Sequence, residues 1–245
     1  MKHSCHFSNS NHGINIMRLD KYVASVSELS RNDAKKAIRG GRVTVEGQKQ
    51  RDPKYPVEIS AAIILNGSAL CSPGKRYIML NKPEGYVSAT KDKQHLTVMD
   101  LLEEENCAQL HIAGRLDLDT TGLVLITDDG QWSHRVTSPQ RDCKKTYLVE
   151  TADPISDESI LCFEQGIHLA DEKRPTLPAH IEIIDEHTAR LIISEGRYHQ
   201  VKRMFGAMGN KVDCLHRERI GDIYLDSSLQ PGEYRHLTPV EIESI

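Results

Sequence analysis

The sequence predicts an α+β protein with two domains, a small N-terminal one and a larger one built on a mainly antiparallel, mixed sheet. Three observations support this class. The chain has 245 residues, which suits two modest domains, and 38% of them are hydrophobic, enough to supply a core. Residues 67–76 are mostly small or polar, as is usual at a domain boundary. Beyond them, many short strand patterns and few helical ones favour an antiparallel sheet.

The first domain combines two helices with short strands. Ser30 followed three residues later by Asp33 is typical of a helix N-terminus, and Gly40-Gly41 ends that helix. Residues 42–48 alternate as a strand, and residues 57–65 predict a second one. An earlier helix is indicated by apolar residues at the spacing of one helical face, namely Leu19, Tyr22, Val23 and Val26.

These patterns divide the chain into four parts. Residues 1–16 precede the first helix and lack the apolar core of a secretory signal. They are expected to be a disordered extension or a misassigned start. The small domain then covers residues 17–66 and a linker covers residues 67–76. The larger domain covers residues 77–245.

Charge is distributed unevenly between these parts. The whole chain has a formal net charge of -4, yet residues 17–55 hold ten basic and five acidic side chains, a net charge of about +5. Because Lys2 adds one positive charge in residues 1–16, residues 56–245 carry about -10. Such asymmetry indicates a small module that binds a polyanion, although a solvated helix face would also be basic.

The larger domain begins with a strand at residues 77–80, followed by a turn around Pro83 and Gly85. Further strands are predicted at residues 123–126, 145–150, 180–185 and 189–194. A helix is predicted at residues 199–208, and Thr238-Pro-Val-Glu241 is typical of another helix N-terminus.

Several functional classes lack their sequence signatures. The six cysteines form no C-x-x-C pair and the twelve histidines have no metal-ligand spacing, so we expect no metal and reduced thiols. Neither a phosphate-binding nor a dinucleotide-binding glycine motif is present, and we expect no cofactor. No apolar run approaches the roughly 20 residues that cross a bilayer, so we expect a soluble, cytoplasmic protein without a membrane partner.

Two segments contain residues that could perform chemistry. Residues 114–122 place Asp117 and Asp119 on a polar loop directly before a buried strand, and residues 195–204 form a basic loop that enters a helix. A cation such as Lys202 or Arg203 close to a carboxylate would keep it ionised. An ionised, oriented aspartate can act as a nucleophile or a base at a sugar carbon. An Asp-rich turn capped by an arginine would explain the same residues without any chemistry.

The small domain resembles a known RNA-binding family. The segments 17–22 (MRLDKY), Ser30-Arg31 and 38–47 (IRGGRVTVEG) look like an S4 RNA-binding domain. The resemblance implies contacts to RNA phosphates from the basic side chains Arg18, Arg31, Lys35, Lys36, Arg39 and Arg42.

The larger domain resembles the pseudouridine synthases, and specifically the RsuA family that modifies small-subunit ribosomal RNA. Four ordered motifs carry the resemblance, and with the S4 module they span nearly all of residues 17–245. The motifs are residues 81–85 (NKPEG), 114–123 (GRLDLDTTGL), 145–149 (KTYLV) and 195–204 (EGRYHQVKRM). Residues 129–135 (DGQWSHR) and 215–221 (LHRERIG) agree as well.

The resemblance implies a role for each matching residue. Asp117 would be the catalytic aspartate, acting by attack on the sugar or by removal of a sugar proton, and Asp119 a neighbour without that role. Tyr147 would stack on the uracil, and Lys202 would be the basic partner of Asp117 through a single-contact salt bridge, with Arg203 as second choice. Arg115 would fill the space left by the flipped base. Arg197 and His199 complete the expected substrate-binding set.

The implied function is isomerisation of one uridine of 16S rRNA, at position 516, by a monomer that binds 16S rRNA or an assembling small subunit. A related enzyme that modifies 23S rRNA is the nearest alternative, but the sequence Tyr198-His199-Gln200 favours the small-subunit enzymes. A non-catalytic RNA-binding or ribosome-assembly factor is a second alternative, which intact Asp117, Tyr147 and Lys202 disfavour. A glycosidase is a weaker one, because carboxylates two residues apart would not flank a sugar from opposite sides.

Overall fold

The computed structural model describes residues 16–58, 61–70, 74–104, 107–138 and 141–245. It divides into two compact units, residues 1–74 and 75–245. The expected disordered extension lies outside the described residues except for Ile16, which begins the first strand. In the described ranges no helix is long and apolar enough to cross a membrane.

The first unit packs two helices beside two small sheets. The helices are α1 (Leu19–Ser25) and α2 (Arg31–Arg39). Strand β1 (Ile16–Arg18) pairs with β4 (Pro56–Glu58). An antiparallel sheet in the order β3-β2-β5-β6 contains the remaining strands, which are β2 (Val43–Val45), β3 (Gln48–Gln50), β5 (Ile63–Leu65) and β6 (Ser68–Leu70).

Local chemistry explains the two helices. The Ser30 hydroxyl accepts a hydrogen bond from the Asp33 backbone N–H at 3.2 Å, which caps α2 as predicted. After Gly40, Gly41 adopts a left-handed conformation (φ +71°), which favours glycine and ends the helix. The predicted apolar face of α1 is confirmed, since Leu19, Tyr22 and Val23 are buried in the core of this unit.

Two expectations for the first unit were wrong. Residues 57–65 do not form one strand, because β4 and β5 belong to different sheets. Residues 68–70, placed in the linker, form β6, which pairs with β5 after a turn in which Asn66 and Gly67 have positive φ. Small side chains concealed this strand, whose stability comes from pairing rather than from apolar alternation.

The second unit is built on a nine-stranded sheet, which confirms the α+β class and the mainly antiparallel, mixed sheet. Its principal path is β11-β12-β10-β13-β9-β7-β15, with β14 added beside β13 and β8 beside β9. The strands are β7 (Tyr77–Lys82), β8 (His111–Ala113), β9 (Thr121–Thr127), β10 (Lys145–Thr151), β11 (His180–Ile183), β12 (Thr188–Ile193), β13 (Val212–Ile220), β14 (Ile223–Tyr224) and β15 (Tyr234–His236).

Four α-helices in the described part of the second unit flank the sheet. They are α3 (Gly130–Thr137), α4 (Asp157–Gln165), α5 (Gln200–Ala207) and α6 (Pro239–Glu243). The helix expected at 199–208 is α5, and the box predicted at Thr238 and Glu241 caps α6. Helices α3 and α4 were not predicted, although Asp129 and Ser156 cap them through side-chain oxygens.

Successive residues of the central strands are buried on opposite faces of the sheet. On β9, Val124 and Ile126 belong to the core that includes α4 and α5, whereas Leu123 and Leu125 belong to the core that includes α3. The strand therefore appears in the sequence as a continuous apolar run. The face that carries α5 also carries the candidate active site.

Among the described strands of this sheet, the parallel pairing joins β9 to β13, with Gly122 opposite Arg217. Gly122 has φ +100°, and a Cβ atom there would lie 2.4 Å from the Arg217 carbonyl oxygen. Only glycine allows the two backbones to approach this closely. The loop that precedes β9 is thereby set against β13.

Candidate active site

A cavity of about 520 Å³ opens on the face of the large sheet that carries α5. Its lining comes from the loop between β8 and β9, from β10 and β13, and from the loop that leads into α5. The structure brings seven side chains of interest to this cavity, which are Arg115, Asp117, Tyr147, Arg197, His199, Lys202 and Arg217.

Asp117 lies between two basic side chains. Its Oδ1 atom is 3.4 Å from His199 Nε2, and its Oδ2 atom is 3.9 Å from Lys202 Nζ. The carboxylate is about one-third exposed, so it is open to the cavity while being partly shielded from water. This arrangement leaves a carboxylate available to a bound molecule, with positive charge beside it.

The expected ion pair between Lys202 and Asp117 is a single contact of 3.9 Å, and it is not the shortest contact of the lysine. Lys202 Nζ donates a hydrogen bond to Asp119 Oδ1 instead, and Asp117 is its more distant partner. That hydrogen bond is the main cause that lowers the pKa of Asp119. Asp119, expected to be a neighbour without the catalytic role, is therefore also an ion-pair partner of Lys202, a contact that only the folded loop reveals.

The backbone of the Asp117 loop is held by Arg217, a buried side chain that the sequence motifs did not single out. Its guanidinium donates to the Gly114 carbonyl at 2.9 Å, to the Arg115 carbonyl at 3.3 Å and to the Leu123 carbonyl at 2.8 Å. It also donates to the Tyr147 hydroxyl at 3.3 Å. The planar group thus joins both ends of the loop to β10. In the sequence, the segment 215–221, which agrees with the family, is the signal that could have pointed to Arg217.

Lys82 holds the same loop from another side and was also missed. Its side chain is fully buried, and Nζ donates to the carbonyls of Leu118 (3.3 Å), Thr120 (2.7 Å) and Pro83 (3.1 Å). Burial lowers the pKa of Lys82 to about 8, although the nearby Asp119 and Asp117 charges oppose the shift. The motif at 81–85 therefore anchors the loop that carries Asp117.

Tyr147 lies on β10 and lines the cavity while being largely buried, since its exposed fraction is 8%. Lys145, two residues earlier, shares that face of the strand and lines the cavity as well. Burial lowers the pKa of Lys145. Aromatic and cationic groups therefore form one wall of the cavity.

Arg197 and Arg203 make contacts that the sequence did not predict. Arg197 binds Glu195 and the carbonyls of Arg174 and Pro175. Arg203 binds Glu172 and the carbonyls of Ala170 and Tyr198, and it does not contact Asp117. Both guanidinium groups connect the loop before α5 to residues 170–175. Arg115, by contrast, is exposed at the cavity.

The basic residues of the first unit fall into two groups. Arg18 and Arg31 pair with the fully buried Asp20, at 2.8 Å and 3.5 Å. Burial opposes ionisation of Asp20, but the hydrogen bonds and charges of these two arginines outweigh it and lower the pKa. The other group lies at the surface on or after α2 and comprises Lys35, Lys36, Arg39 and Arg42, of which Lys36 pairs with Asp33.

The fold and site are those of an enzyme in which a partly shielded carboxylate, with a histidine and a lysine beside it, lines a cavity. The same chain also carries a small domain rich in basic residues. Two family models match the chain in agreement with this. Residues 76–207 match the RNA pseudouridylate synthase family, and residues 17–63 match the S4 domain. The chain therefore belongs to the RNA pseudouridylate synthases, isomerases that convert uridine in RNA to pseudouridine.

Particular relatives extend this similarity over nearly the whole chain. The chain is 53% identical over 230 residues to the ribosomal small subunit pseudouridine synthase A of Escherichia coli strain K12, covering 94% of this chain and 100% of that protein. It is 52% identical over 231 residues to the enzyme of the same name from Vibrio parahaemolyticus, covering 94% and 99%. A crystal structure of a pseudouridylate synthase is 48% identical, has a TM-score of 0.68 and covers 93% of this chain and 99% of that one.

Proposed function

We propose that this protein converts one uridine of 16S rRNA to pseudouridine, with Asp117 as the catalytic residue. The observation that carries the proposal is the position of the Asp117 carboxylate, 3.4 Å from His199 and 3.9 Å from Lys202 in a cavity that also presents Tyr147. The names of the relatives, at 52–53% identity over 94% of the chain, support the small-subunit target. Position 516, implied by the sequence resemblance, is the expected site.

The reaction needs a carboxylate and no oxidant or reductant. The bond from C1′ to N1 of the uridine breaks, the uracil turns within the cavity, and a bond from C1′ to C5 forms. The C5 proton is lost and N1 gains a proton, so atoms and charge balance. Asp117 serves either by attack at the sugar carbon or by removal of a sugar proton, and both roles require the open, oriented carboxylate.

Tyr147 is proposed to stack on the flipped base, and Arg115 is proposed to fill the space that the base leaves. The Tyr147 ring lies in the cavity wall, and its hydroxyl is held by Arg217, so the ring is positioned to stack on uracil. Arg115 is exposed on the loop that carries Asp117 and can occupy the space that the base leaves in the RNA. Base flipping costs a few kcal/mol and less in a loop, which favours an unpaired rRNA region.

RNA affinity is assigned chiefly to the first unit, through Lys35, Lys36, Arg39 and Arg42, whose side chains reach its surface. Arg18 and Arg31 share the buried Asp20, and their exposed halves add to the same positive surface. Because the protein acceptors of Arg197 and Arg203 occupy their guanidinium groups, we assign these two arginines to loop positioning. We further propose that the enzyme is a cytoplasmic monomer that meets 16S rRNA during subunit assembly.

The decisive experiment incubates the purified protein with unmodified 16S rRNA, alone and bound by ribosomal proteins, and maps pseudouridine by carbodiimide-blocked primer extension. Asp117→Asn and a 23S transcript are the controls. One stop in 16S rRNA that disappears with Asp117→Asn supports substrate and catalytic residue together. A stop only in 23S rRNA overturns the target. No stop on any RNA, with tight binding retained, overturns the catalytic assignment and leaves a binding factor.

A further inference from the structure

An exposed aromatic pair stands at the cavity beside Asp117. The Tyr198 side chain is 75% exposed, and its ring stacks on His199 with centroids 3.8 Å apart and planes inclined by 19°. Both residues line the same cavity as Asp117. Among the described residues, His199 is the ring that stacks on Tyr198, and the 75% exposure of the tyrosine is consistent with a second face that is open to solvent.

The backbone beneath this pair is held in one conformation. The Gln200 side chain accepts from the Arg197 backbone N–H at 2.9 Å and donates to Glu195 at 3.0 Å. Arg203 donates to the Tyr198 carbonyl at 3.1 Å. His199 itself adopts a left-handed conformation (φ +47°), which is unfavourable for a residue with a side chain and persists because its surroundings impose it.

The position of the pair indicates which part of an RNA it meets. Tyr147 is buried in the cavity wall, where the proposed function puts the target uracil, whereas Tyr198 lines the same cavity at a largely exposed position. A single imidazole separates Tyr198 from Asp117, because His199 stacks on Tyr198 and places Nε2 3.4 Å from Asp117 Oδ1. An RNA strand that puts its uridine at Asp117 therefore brings a neighbouring nucleotide to the Tyr198 ring.

We propose that the open face of Tyr198 stacks on the unpaired base directly adjacent to the target uridine, an inference that rests on the proposed function. Aromatic side chains are the common platforms for splayed bases in single-stranded RNA. Only 5% of the residues are aromatic, too few for a broad surface on which several bases could stack. The stacking contact is therefore assigned to the single ring of Tyr198. The rigid loop lowers the ordering cost of that contact.

The test compares Tyr198→Ala with Tyr224→Ala, a matched control that removes another exposed tyrosine, one that packs against Arg219 on β13. The substrate is a fragment around whichever uridine the wild type modifies, with either flanking nucleotide made abasic in turn. Tyr198→Ala is expected to weaken binding about 5- to 150-fold, as expected for removal of one stacked base, and Tyr198→Phe to restore most of it. Tyr224→Ala is expected to bind like the wild type.

A double-mutant cycle that combines Tyr198→Ala with each abasic RNA distinguishes loss of stacking from a purely structural effect of the substitution. One abasic substrate should weaken wild-type binding by the same factor yet cause little further weakening with Tyr198→Ala. Additive effects with both abasic substrates, or unchanged binding by Tyr198→Ala, would overturn the stacking proposal alone. Absence of pseudouridine in every RNA would instead remove the proposed function, and with it the basis for this contact.

Discussion

Lys202 Nζ is hydrogen-bonded to Asp119 and lies 3.9 Å from the Oδ2 atom of Asp117. Two carboxylates of one loop thus share one ammonium, but unequally. Asp119 is mostly exposed and contacts the lysine directly, whereas Asp117 is more buried and lines the cavity. The lysine therefore tethers the loop through one aspartate while adding positive charge beside the other.

This inequality predicts different outcomes for two matched substitutions. Asp117→Asn should lower the rate of pseudouridine formation by at least about 100-fold, because it removes the carboxylate that we propose reacts, with RNA binding retained. Asp119→Asn should lower it by less than about 10-fold, because Lys202 can still reach the loop. Single-turnover rates on 16S rRNA measure both. Equal decreases would show that Asp119 takes part in the reaction itself.

Substitution of Arg217 should uncouple the loop from the sheet. Arg217→Lys keeps the charge but cannot span the carbonyls of Gly114, Arg115 and Leu123, so we expect a decrease of about 2–4 kcal/mol in the free energy of unfolding. The displaced loop should also reduce kcat by roughly 100-fold. Urea denaturation and single-turnover kinetics measure the two effects. Arg219→Lys, whose side chain binds Asp222 and the Gly221 carbonyl, is the control, and similar defects there would contradict the assignment.

The buried Lys82 predicts a pH dependence of stability. Its pKa is lowered to about 8, below the ordinary value of 10.5, so between these values the unfolded chain binds more protons than the folded one. The free energy of unfolding of the wild type should therefore rise with pH across this window relative to Lys82→Met. Urea unfolding from pH 7 to pH 10 tests this. Parallel curves for the two proteins would mean that Lys82 titrates normally.

Removal of the Lys82 anchor should also impair the reaction at neutral pH. Lys82→Met leaves the Leu118 and Thr120 carbonyls without their buried donor, and we expect a kcat at least about 10-fold lower at unchanged RNA affinity. Lys93→Met, an exposed lysine of the same unit, is the control. A lowered affinity with normal kcat would place Lys82 in RNA binding instead.

The parallel contact between β9 and β13 predicts an intolerant glycine. Gly122→Ala puts a Cβ atom 2.4 Å from the Arg217 carbonyl oxygen at a positive φ, so the free energy of unfolding should fall by at least about 3 kcal/mol. Gly130→Ala, at the start of α3 with open space around it, should be neutral or slightly stabilising. Chemical denaturation compares them, and a stable Gly122→Ala protein would refute the close approach.

The charged surface of α2 predicts a salt-dependent affinity. Replacing Lys35, Lys36 and Arg39 with glutamate should weaken rRNA binding and reduce the slope of log Kd against log salt by roughly 0.7–0.9 for each phosphate that the protein no longer neutralises. Circular dichroism verifies that the helix persists without the Lys36–Asp33 pair. The charge reversal Lys93→Glu in the other unit should leave the slope unchanged. An unaltered slope for the triple variant would move RNA binding away from α2.

Sequence alone was sufficient for elements whose causes are local. The cap at Ser30, the box at Thr238 and the apolar run of β9 each follow from residues within a few positions, and each was confirmed. The motif around Asp117 could be recognised in the sequence for a related reason, because its residues are consecutive on one loop. Strand β6 and helices α3 and α4 escaped prediction, since pairing and packing with distant residues stabilise them.

Tertiary structure alone decided which side chains hold that loop. Arg217 lies 94 residues from Leu123 and Lys82 lies 36 residues from Leu118, and a buried donor finds such carbonyls only after the sheet has formed. The same holds for Lys202, whose closest carboxylate proved to be Asp119 rather than Asp117. Sequence specifies residue types and local order, whereas distances of a few ångströms between remote groups depend on how the strands pair, because hydrogen bonds and ion pairs weaken steeply with distance and angle.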